Sequence, residues 1–476
     1  MVMGTSSHAG KSMLVTALCR ILSKKYKVAP FKAQNMSLNS WITRDGSEIG
    51  IAQAIQAKAA GIEPTADMNP VLLKPKGGNI SQVVILGKPY ADKKAGDYYD
   101  SIHDLTFLVE EAYRRLEKTS DLIIIEGAGG AAEINLYHRD IVNIGIARQV
   151  RPPIILVGDI ERGGVFASLY GTMQLLPEDV RSMVFGLMIN KFRGDIRLLE
   201  PGIKQLEELT GLPVLGVIPY TDNKIPSEDS MSIKDKTRND HPVRIAVVRF
   251  PHISNFTDFE PLEKYADIMY VEPGDDIVEP DAIILPGTKN TIDDLLKLKE
   301  GMDEQIIREV KKGTPVIGIC GGYQMLGKKI VDSGIEGTGG AVSLTGLGLL
   351  NVSTRFREYR KQTKQVEKTV TGDGEILGSI KGEKITGYEI HMGETIGGEP
   401  AFGDDGCVGH NGLVIGTYLH GLFENENIMR SFLGYLYKRK GMIFRSKEKD
   451  DSIEELARFV EENVNMELIL QRIEGE

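Results

Sequence analysis

The residue with the clearest chemistry is a cysteine. It stands in Thr314-Pro-Val-Ile-Gly-Ile-Cys320-Gly-Gly-Tyr-Gln-Met-Leu326, where an apolar run enters Gly-x-Cys-x-Gly and then a helical pattern. Small residues on both sides of a nucleophile permit the strained strand-to-helix turn that exposes its side chain. The helix N-terminus that follows favours a thiolate. The backbone N–H of Gly321 is the natural oxyanion donor, and Gly287, in the strand-end turn Pro286-Gly-Thr288, can supply a second. A thiol nucleophile needs a base. Of the eight histidines, His420 has the best setting, because Gly416-Thr-Tyr-Leu-His420-Gly places it at the end of an apolar strand beside glycine. His391, in Gly387-Tyr-Glu-Ile-His391-Met-Gly393, is the second candidate, and can instead contact substrate.

A different chemistry opens the chain. Gly4-Thr5-Ser6-Ser7-His8-Ala9-Gly10-Lys11-Ser12 stands directly before the helical run Met13–Leu22. Glycines let backbone N–H groups turn toward phosphates, and the helix end adds its positive pole. Lys11 can then reach the β- and γ-phosphates of ATP, and Ser12 can bind Mg²⁺. Counted from Gly4, the spacing carries one residue more than Gly-x4-Gly-Lys-Ser. Only Met1–Met3 precede the loop, so its strand is very short or the chain begins a few residues inside the natural product. Magnesium calls for carboxylates at neighbouring strand ends. Glu126 closes the apolar run of Asp121-Leu-Ile-Ile-Ile-Glu126-Gly-Ala-Gly-Gly130, Asp159 follows Ile154–Val157, and Asp45 lies in a polar loop before the helix Ile51–Ala60. Each alone could be a turn or helix-capping residue. Asn190, at the end of another strand, is a candidate reader of the adenine or a plain turn.

These residues must be held by the elements between them. Apolar runs of four to seven residues alternate with helical segments, the pattern of parallel α/β folds. In the first half the runs are Lys27–Phe31, Gln82–Leu86, Leu122–Ile125, Ile154–Val157, Val184–Ile189 and Val214–Ile218. They lack polar alternation, so helices should cover both faces of the sheet. Thr221–Pro242 is rich in charge and poor in large apolar residues, which marks a linker. Strand candidates resume at Val243–Phe250, Ile268–Val271, Ala282–Leu285 and Val316–Ile319, followed by Leu347–Thr354, Glu375–Ser379, Thr386–Ile390 and Leu413–Tyr418. Ser452–Val464 reads as a closing helix. The expected division is a P-loop parallel-sheet domain over 1–221, a linker over 222–242, and a flavodoxin-like domain with a mixed sheet over 243–476.

Composition narrows the partners. The 57 Lys+Arg against 67 Asp+Glu give a net charge of −10, a poor match to nucleic acid or anionic lipid. No apolar stretch approaches the roughly 20 residues that span a bilayer, and the N-terminus has no signal-peptide layout. Three unpaired-looking cysteines argue against a disulfide framework and for a reducing, cytoplasmic setting. Glycine is abundant, 53 of 476 residues against a usual 7% or so.

Taken together, these motifs carry a resemblance to a known family. The loop Gly4–Ser12 is similar to that of dethiobiotin synthetase and its relatives. Gly318–Gly322 with the downstream His420 resembles the class I, triad-type glutamine amidotransferase domain. The two joined resemble the cobyrinate amidase family, through Phe31–Ser40, Asp45–Gly50, Met68–Pro75, Glu126–Gly130, Gly158–Gly164, Arg249–Phe256, Gly318–Gly322 and Thr417–Gly421. The resemblance covers essentially the whole chain. It implies that Cys320 attacks the side-chain amide of glutamine while His420 moves protons. It implies that the released ammonia passes to the first domain, where ATP and Mg²⁺ activate carboxylates of a corrinoid polycarboxylate as acyl phosphates. The branch it resembles most amidates the b, d, e and g side chains of adenosylcobyrinic acid a,c-diamide. Triad glutaminases also carry an acid two residues after the histidine. That position is Leu422 here, so a third triad member is expected to be missing, with Glu424 a weak substitute.

Two other readings compete. A partition-type P-loop switch ATPase accounts for the first half alone and predicts no reactive cysteine. A cobyrinic acid a,c-diamide synthase uses the same parts on two other carboxylates, but Gln34–Ser40 and Met68–Pro75 favour the first branch.

Overall fold

The computed structural model describes residues 1–77, 80–94, 96, 102–221, 241–337, 340–446 and 452–475. Of the expected linker, 222–240 lies outside the described residues. The first unit is built on parallel strands in the spatial order Val28–Phe31, Leu122–Ile125, Val2–Gly4, Ile154–Asp159, Val184–Phe192, Val214–Pro219. The three-residue strand Val2–Gly4 pairs in register with Ile155–Val157 on one side. On the other, Val2 bridges Glu126 and accepts from Gly127 N at 2.9 Å. Val, Ile and Leu line both faces, and separate buried clusters lie on the two sides, one with Leu14, Val15 and Leu18, the other with Ile144, Leu169 and Met173. Helices therefore cover both faces, as uninterrupted apolar strands require.

The run expected as the strand Gln82–Leu86 does not join this sheet. It is the strand Ile80–Ile85, antiparallel to Val71–Gly77 and Lys88–Lys94. Only Leu86-Gly87 joins it to the next strand, with both residues at positive φ (44° and 74°). A two-residue turn can link only antiparallel neighbours. A second small hairpin, Ser40–Ile42 against Glu48–Gly50, stands beside this side sheet.

The second unit has a six-stranded sheet in the order Asp267–Val271, Arg244–Val248, Ala282–Leu285, Val316–Ile319, Val414–Thr417, Cys407–Gly409, parallel except for its last strand. Two expected strands are corrected. Within Leu347–Thr354 the strand begins only at Val352, because Gly348 takes φ 69°. Glu375–Ser379 is a turn leading into the short helix Gly378–Ile380. Ile376 and Leu377 are buried there, so their apolarity reflects burial and not pairing.

The chain's end also departs from the expected boundary at 476. The helices Ser452–Asn463 and Met466–Glu474 return to the first unit. Leu456, Ala457 and Val460 share a core with Leu14, Val15 and Leu18, and Val464 bridges Gly216. Arg20 and Lys25 pair with Glu454 and Glu474. An amphipathic pattern shows that a helix buries one face, but not which unit receives it.

Candidate active site

The phosphate loop is held from three sides. Thr5 N donates to Val157 O at 2.9 Å, and Ala131 N to Gly4 O at 2.9 Å. Lys11 Nζ donates to Ser6 O at 2.9 Å and to Gly129 O at 2.8 Å, closing over the loop. Gly10 takes φ 99°, and a Cβ there would meet Asn190 Nδ2 at 1.9 Å, so only glycine fits. Asn190 Nδ2 donates to Ala9 O at 2.9 Å. Its amide braces the loop.

The three candidate metal acids do not converge; among the described residues no group of three His, Cys, Asp or Glu does so. Ser12 Oγ donates to Glu126 Oε1 at 2.8 Å, and Lys32 Nζ bonds the same oxygen at 2.9 Å. Asp159, at the next strand end, pairs with Lys191 at 2.7 Å and accepts from Glu161 N. Asp45 is the correction. Its carboxylate holds its own turn through Thr43 and Ser47, and those bonds keep it below the usual carboxylate range despite some burial. The adjoining Gly46 O accepts from Thr363 of the second unit at 2.9 Å, so this turn belongs to the interface. Ser12 Oγ and the Glu126 carboxylate remain as adjoining hard oxygens, a donor set suited to magnesium.

In the second unit, Cys320 ends the strand Val316–Ile319 with φ 52° and ψ −110°. Backbone held in such a sparsely populated region costs about 1–3 kcal/mol. The flanking glycines allow it: a Cβ at Gly322 would meet Leu285 O at 2.0 Å, and one at Gly318 would meet Leu326 at 2.6 Å. Cys320 N donates to Thr417 O at 2.8 Å, and its thiol points to Ile390 O at 3.5 Å. Gly321 packs on Thr288, and Gly287 packs against His420 Cε1 and Ser254, so both oxyanion candidates border the pair. The small cavity at the sulfur is lined by Lys289, Gln324, Glu336, His391 and, from the first unit, Lys74.

His420 is fully buried. Its Nδ1 donates to Asp258 Oδ2 at 2.7 Å, and Gly421 N donates to Asp258 Oδ1 at 2.9 Å. Nε2 has no conventional hydrogen-bond partner and faces the Cys320 thiol. Burial opposes charge on the ring, but Asp258 and then Cys320 outweigh it and lift the imidazole to about 10. At neutral pH the ring is an imidazolium, a proton donor beside the nucleophile. The expectation of a missing third member is therefore corrected: Asp258 occupies that place, 162 residues before His420. Glu424 does not bond the ring. Burial raises its carboxyl above the ordinary value, with Lys58 opposing. Asp258 escaped the sequence reading because it comes from another strand end. The available signal was an acid set between Phe256 and Phe259, both fully buried. His391 stacks on Tyr418 at 3.7 Å, and burial lowers it to about 4, so it stays neutral.

The family model for the CobQ/CobB/MinD/ParA nucleotide binding domain matches residues 1–233, and that for the CobB/CobQ-like glutamine amidotransferase domain matches 244–428. A probable cobyric acid synthase of Methanococcoides burtonii is 63% identical over 474 residues, covering 98% of this chain and 96% of that one. One of Methanosarcina mazei is 60% identical over 477 residues, covering 99% and 98%. Among solved structures, PurLQS from Thermotoga maritima matches 41% of this chain and 99% of its own at 22% identity, with a TM-score of 0.33. Among the described residues no helix is long and apolar enough to cross a membrane.

Proposed function

The chain belongs to the cobyric acid synthase family, and on that premise we propose that it is a glutamine-hydrolysing ligase of cobalamin biosynthesis. It uses ATP to amidate the b, d, e and g carboxylates of adenosylcobyrinic acid a,c-diamide and works in the cytoplasm. The observation that carries this reading is the Cys320–His420 pair and the loop Gly4–Ser12 in one chain, joined by buried polar side chains.

At the second unit, the Cys320 sulfur attacks the amide carbon of glutamine. The oxyanion lies toward the N–H groups of Gly321 and Gly287. The proton on His420 Nε2 goes to the leaving nitrogen, and ammonia departs. Water then adds to the thioester, with His420 taking its proton, and glutamate leaves as the Cys320 sulfur is released.

In the first unit a carboxylate oxygen of the corrinoid attacks the γ-phosphorus of ATP, ADP leaves, and an acyl phosphate forms. Ammonia adds to its carbonyl carbon, phosphate leaves, and the amide remains. Lys11 and the backbone of the loop hold the phosphates. Ser12 and Glu126 would hold Mg²⁺, which when bound neutralises charge on the β- and γ-phosphates.

A polar seam between the sites supports the passage of ammonia. Lys74 Nζ bonds Glu48 Oε1 at 2.5 Å and Ser40 Oγ at 2.8 Å, while Lys361 reaches Glu48 from the second unit. Further in, Asn35 Nδ2 bonds Gln53 Oε1 at 3.0 Å, and Gln56 bonds Glu126. Gln53 Nε2 and Gln56 Oε1 are buried without partners. Buried polar atoms normally find one, so each of these has a hydrogen bond to offer a small guest.

The test is Cys320→Ser assayed with ATP and corrinoid. Glutamine-dependent amidation should vanish while ammonium-dependent amidation survives; loss of both, or of neither, refutes the role of Cys320. Lys11→Ala should abolish amidation from either nitrogen source yet leave some glutamine hydrolysis.

A further inference from the structure

The carboxylate that orients His420 is not seated by the second unit alone. Asp258 lies in the short helix Phe256–Phe259, which starts from Asn255 at φ 50°. Polar contacts at the start of this turn reach into the segment 38–40 of the first unit. Asn255 N donates to Leu38 O at 3.4 Å, Ser40 N donates to Asn255 Oδ1 at 2.9 Å, and Phe256 N donates to Asn39 Oδ1 at 3.0 Å. Asn39, Ser40 and Asn255 are all at or below 2% exposure, so these bonds are shielded from water. Ser40 N fixes the Asn255 amide, whose nitrogen packs 3.3 Å from His420 Nδ1; it does not bond that atom, whose N–H goes to Asp258.

The next two residues of the same segment reach the pair by packing. Trp41 packs on Tyr388, with ring centroids 5.2 Å apart, and Tyr388 stacks on His420 at 5.3 Å with planes 17° apart. Ile42 clusters with Tyr388 and Ile390, and Ile390 O is the acceptor for the Cys320 thiol. Five consecutive residues of one unit thus bear on the base, its carboxylate and the nucleophile of the other.

We infer that the segment Leu38–Ile42 is a positioning element of the glutaminase centre, with Asn39 the residue that aligns the Asp258 turn, and through it His420, across the unit interface. This rests on the glutaminase reading of Cys320 and His420. Other bonds between the units, such as Lys361 to Glu48, Thr363 to Gly46 O and Gln365 to Ile42 O, lie outside the Asp258 turn; those of residues 38–40 fall on the turn that carries the acid of the pair. A misplacement of about 1 Å in such a site can cost 100-fold in rate.

The test uses the full chain and measures glutamine hydrolysis as a function of pH. The groups facing His420 are Asp258, Cys320, Tyr388 and His391, with Glu424 and Lys58 behind Asp258. Asn39→Ala should lower kcat tenfold or more with KM for glutamine within twofold, and should move the alkaline limb of kcat to lower pH by roughly one unit. Unchanged kcat, or a lower kcat with the limb unmoved, overturns the inference, since loosened packing alone does not retune His420. Should Asn39→Ala fail to fold, Asn255→Gly decides by the same criteria, because glycine keeps the left-handed backbone and removes only the amide. Hydrolysis that persists in Cys320→Ser would instead overturn the underlying reading. Trp41 is the chain's only tryptophan, so its fluorescence reports in each variant whether the segment is still seated against Tyr388.

Discussion

Replacing Asp258 by asparagine removes one charge and keeps the shape. The substituted side chain could still accept the Gly421 N–H through its oxygen, but it would turn an N–H₂ group toward His420 Nδ1, where a 2.7 Å charge-assisted bond now stands. With charge centres about 4 Å apart and an effective dielectric near 20, the lost attraction is roughly 4 kcal/mol. At 1.36 kcal/mol per pKa unit that is about three units. The ring, held at about 10 in the native chain against the cost of burial, should fall to roughly 7. Two readouts follow. The alkaline limb of kcat for glutamine hydrolysis should move down by two to three units, and kcat at pH 7 should drop about 100-fold or more, because the amide favours the wrong tautomer. Ammonium-dependent amidation, which bypasses this centre, should persist. Stability follows the same sign. A histidine raised on folding contributes fully below its ordinary value of 6.5, and that contribution is lost as pH rises through about 10. The native chain should therefore lose stability to denaturant between pH 7 and 10, and Asp258→Asn should lose less. An unmoved limb with kcat within twofold of native would refute the assignment of Asp258.

Two further outcomes are expected. Gln53→Leu keeps volume in the polar seam but removes its amide; hydrolysis of glutamine and use of free ammonium should both persist, while amides formed per glutamine hydrolysed should fall severalfold. Equal stoichiometry in the two proteins would exclude Gln53 from the route. Leu456→Ala empties a fully buried position against the first unit and should cost about 2–5 kcal/mol, read as a lower Tm that saturating ATP partly restores; no recovery with ATP would separate this helix from the nucleotide-binding unit.

The sequence made the reacting atoms legible but not the groups that hold them. Gly318-x-Cys320-x-Gly322 is local, so the strain at Cys320 and the need for small flanking residues could be read without a fold. Gly10-Lys11-Ser12 is local in the same way. Glu126 could be found because a strand end beside a glycine turn is where such sheets place ligands. The failures are contacts between distant segments. Asp45 has the right residue type and loop character, yet its oxygens close their own turn. Asp258 and His420 are far apart in sequence, and Lys74, Glu48 and Lys361 form one buried cluster drawn from two units. Gln82–Leu86 reads as a core strand because apolar runs look alike in parallel and antiparallel sheets, and only the two-residue turn at Leu86-Gly87 distinguishes them.

The placement of the orienting acid follows from the local structure around His420. Two residues beyond it, Leu422 is 1% exposed and packs with Phe423 in the core of the second unit. A carboxylate at that position would be buried among apolar groups with no partner, a cost of several kcal/mol. The chain turns sharply before it, with Gly421 at φ 74° sending its N–H to Asp258. The acid must then reach the ring from the other side, where the strand-end loop after Arg244–Val248 lies. That loop carries Asn255 and Asp258, and the first unit's segment 38–40 binds its turn. Supplying the carboxylate from this loop makes the alignment of the base depend on contact between the two units. Hydrolysis of glutamine is thereby tied to the unit that consumes the ammonia, through the hydrogen bonds that Asn39 and Ser40 make to this loop.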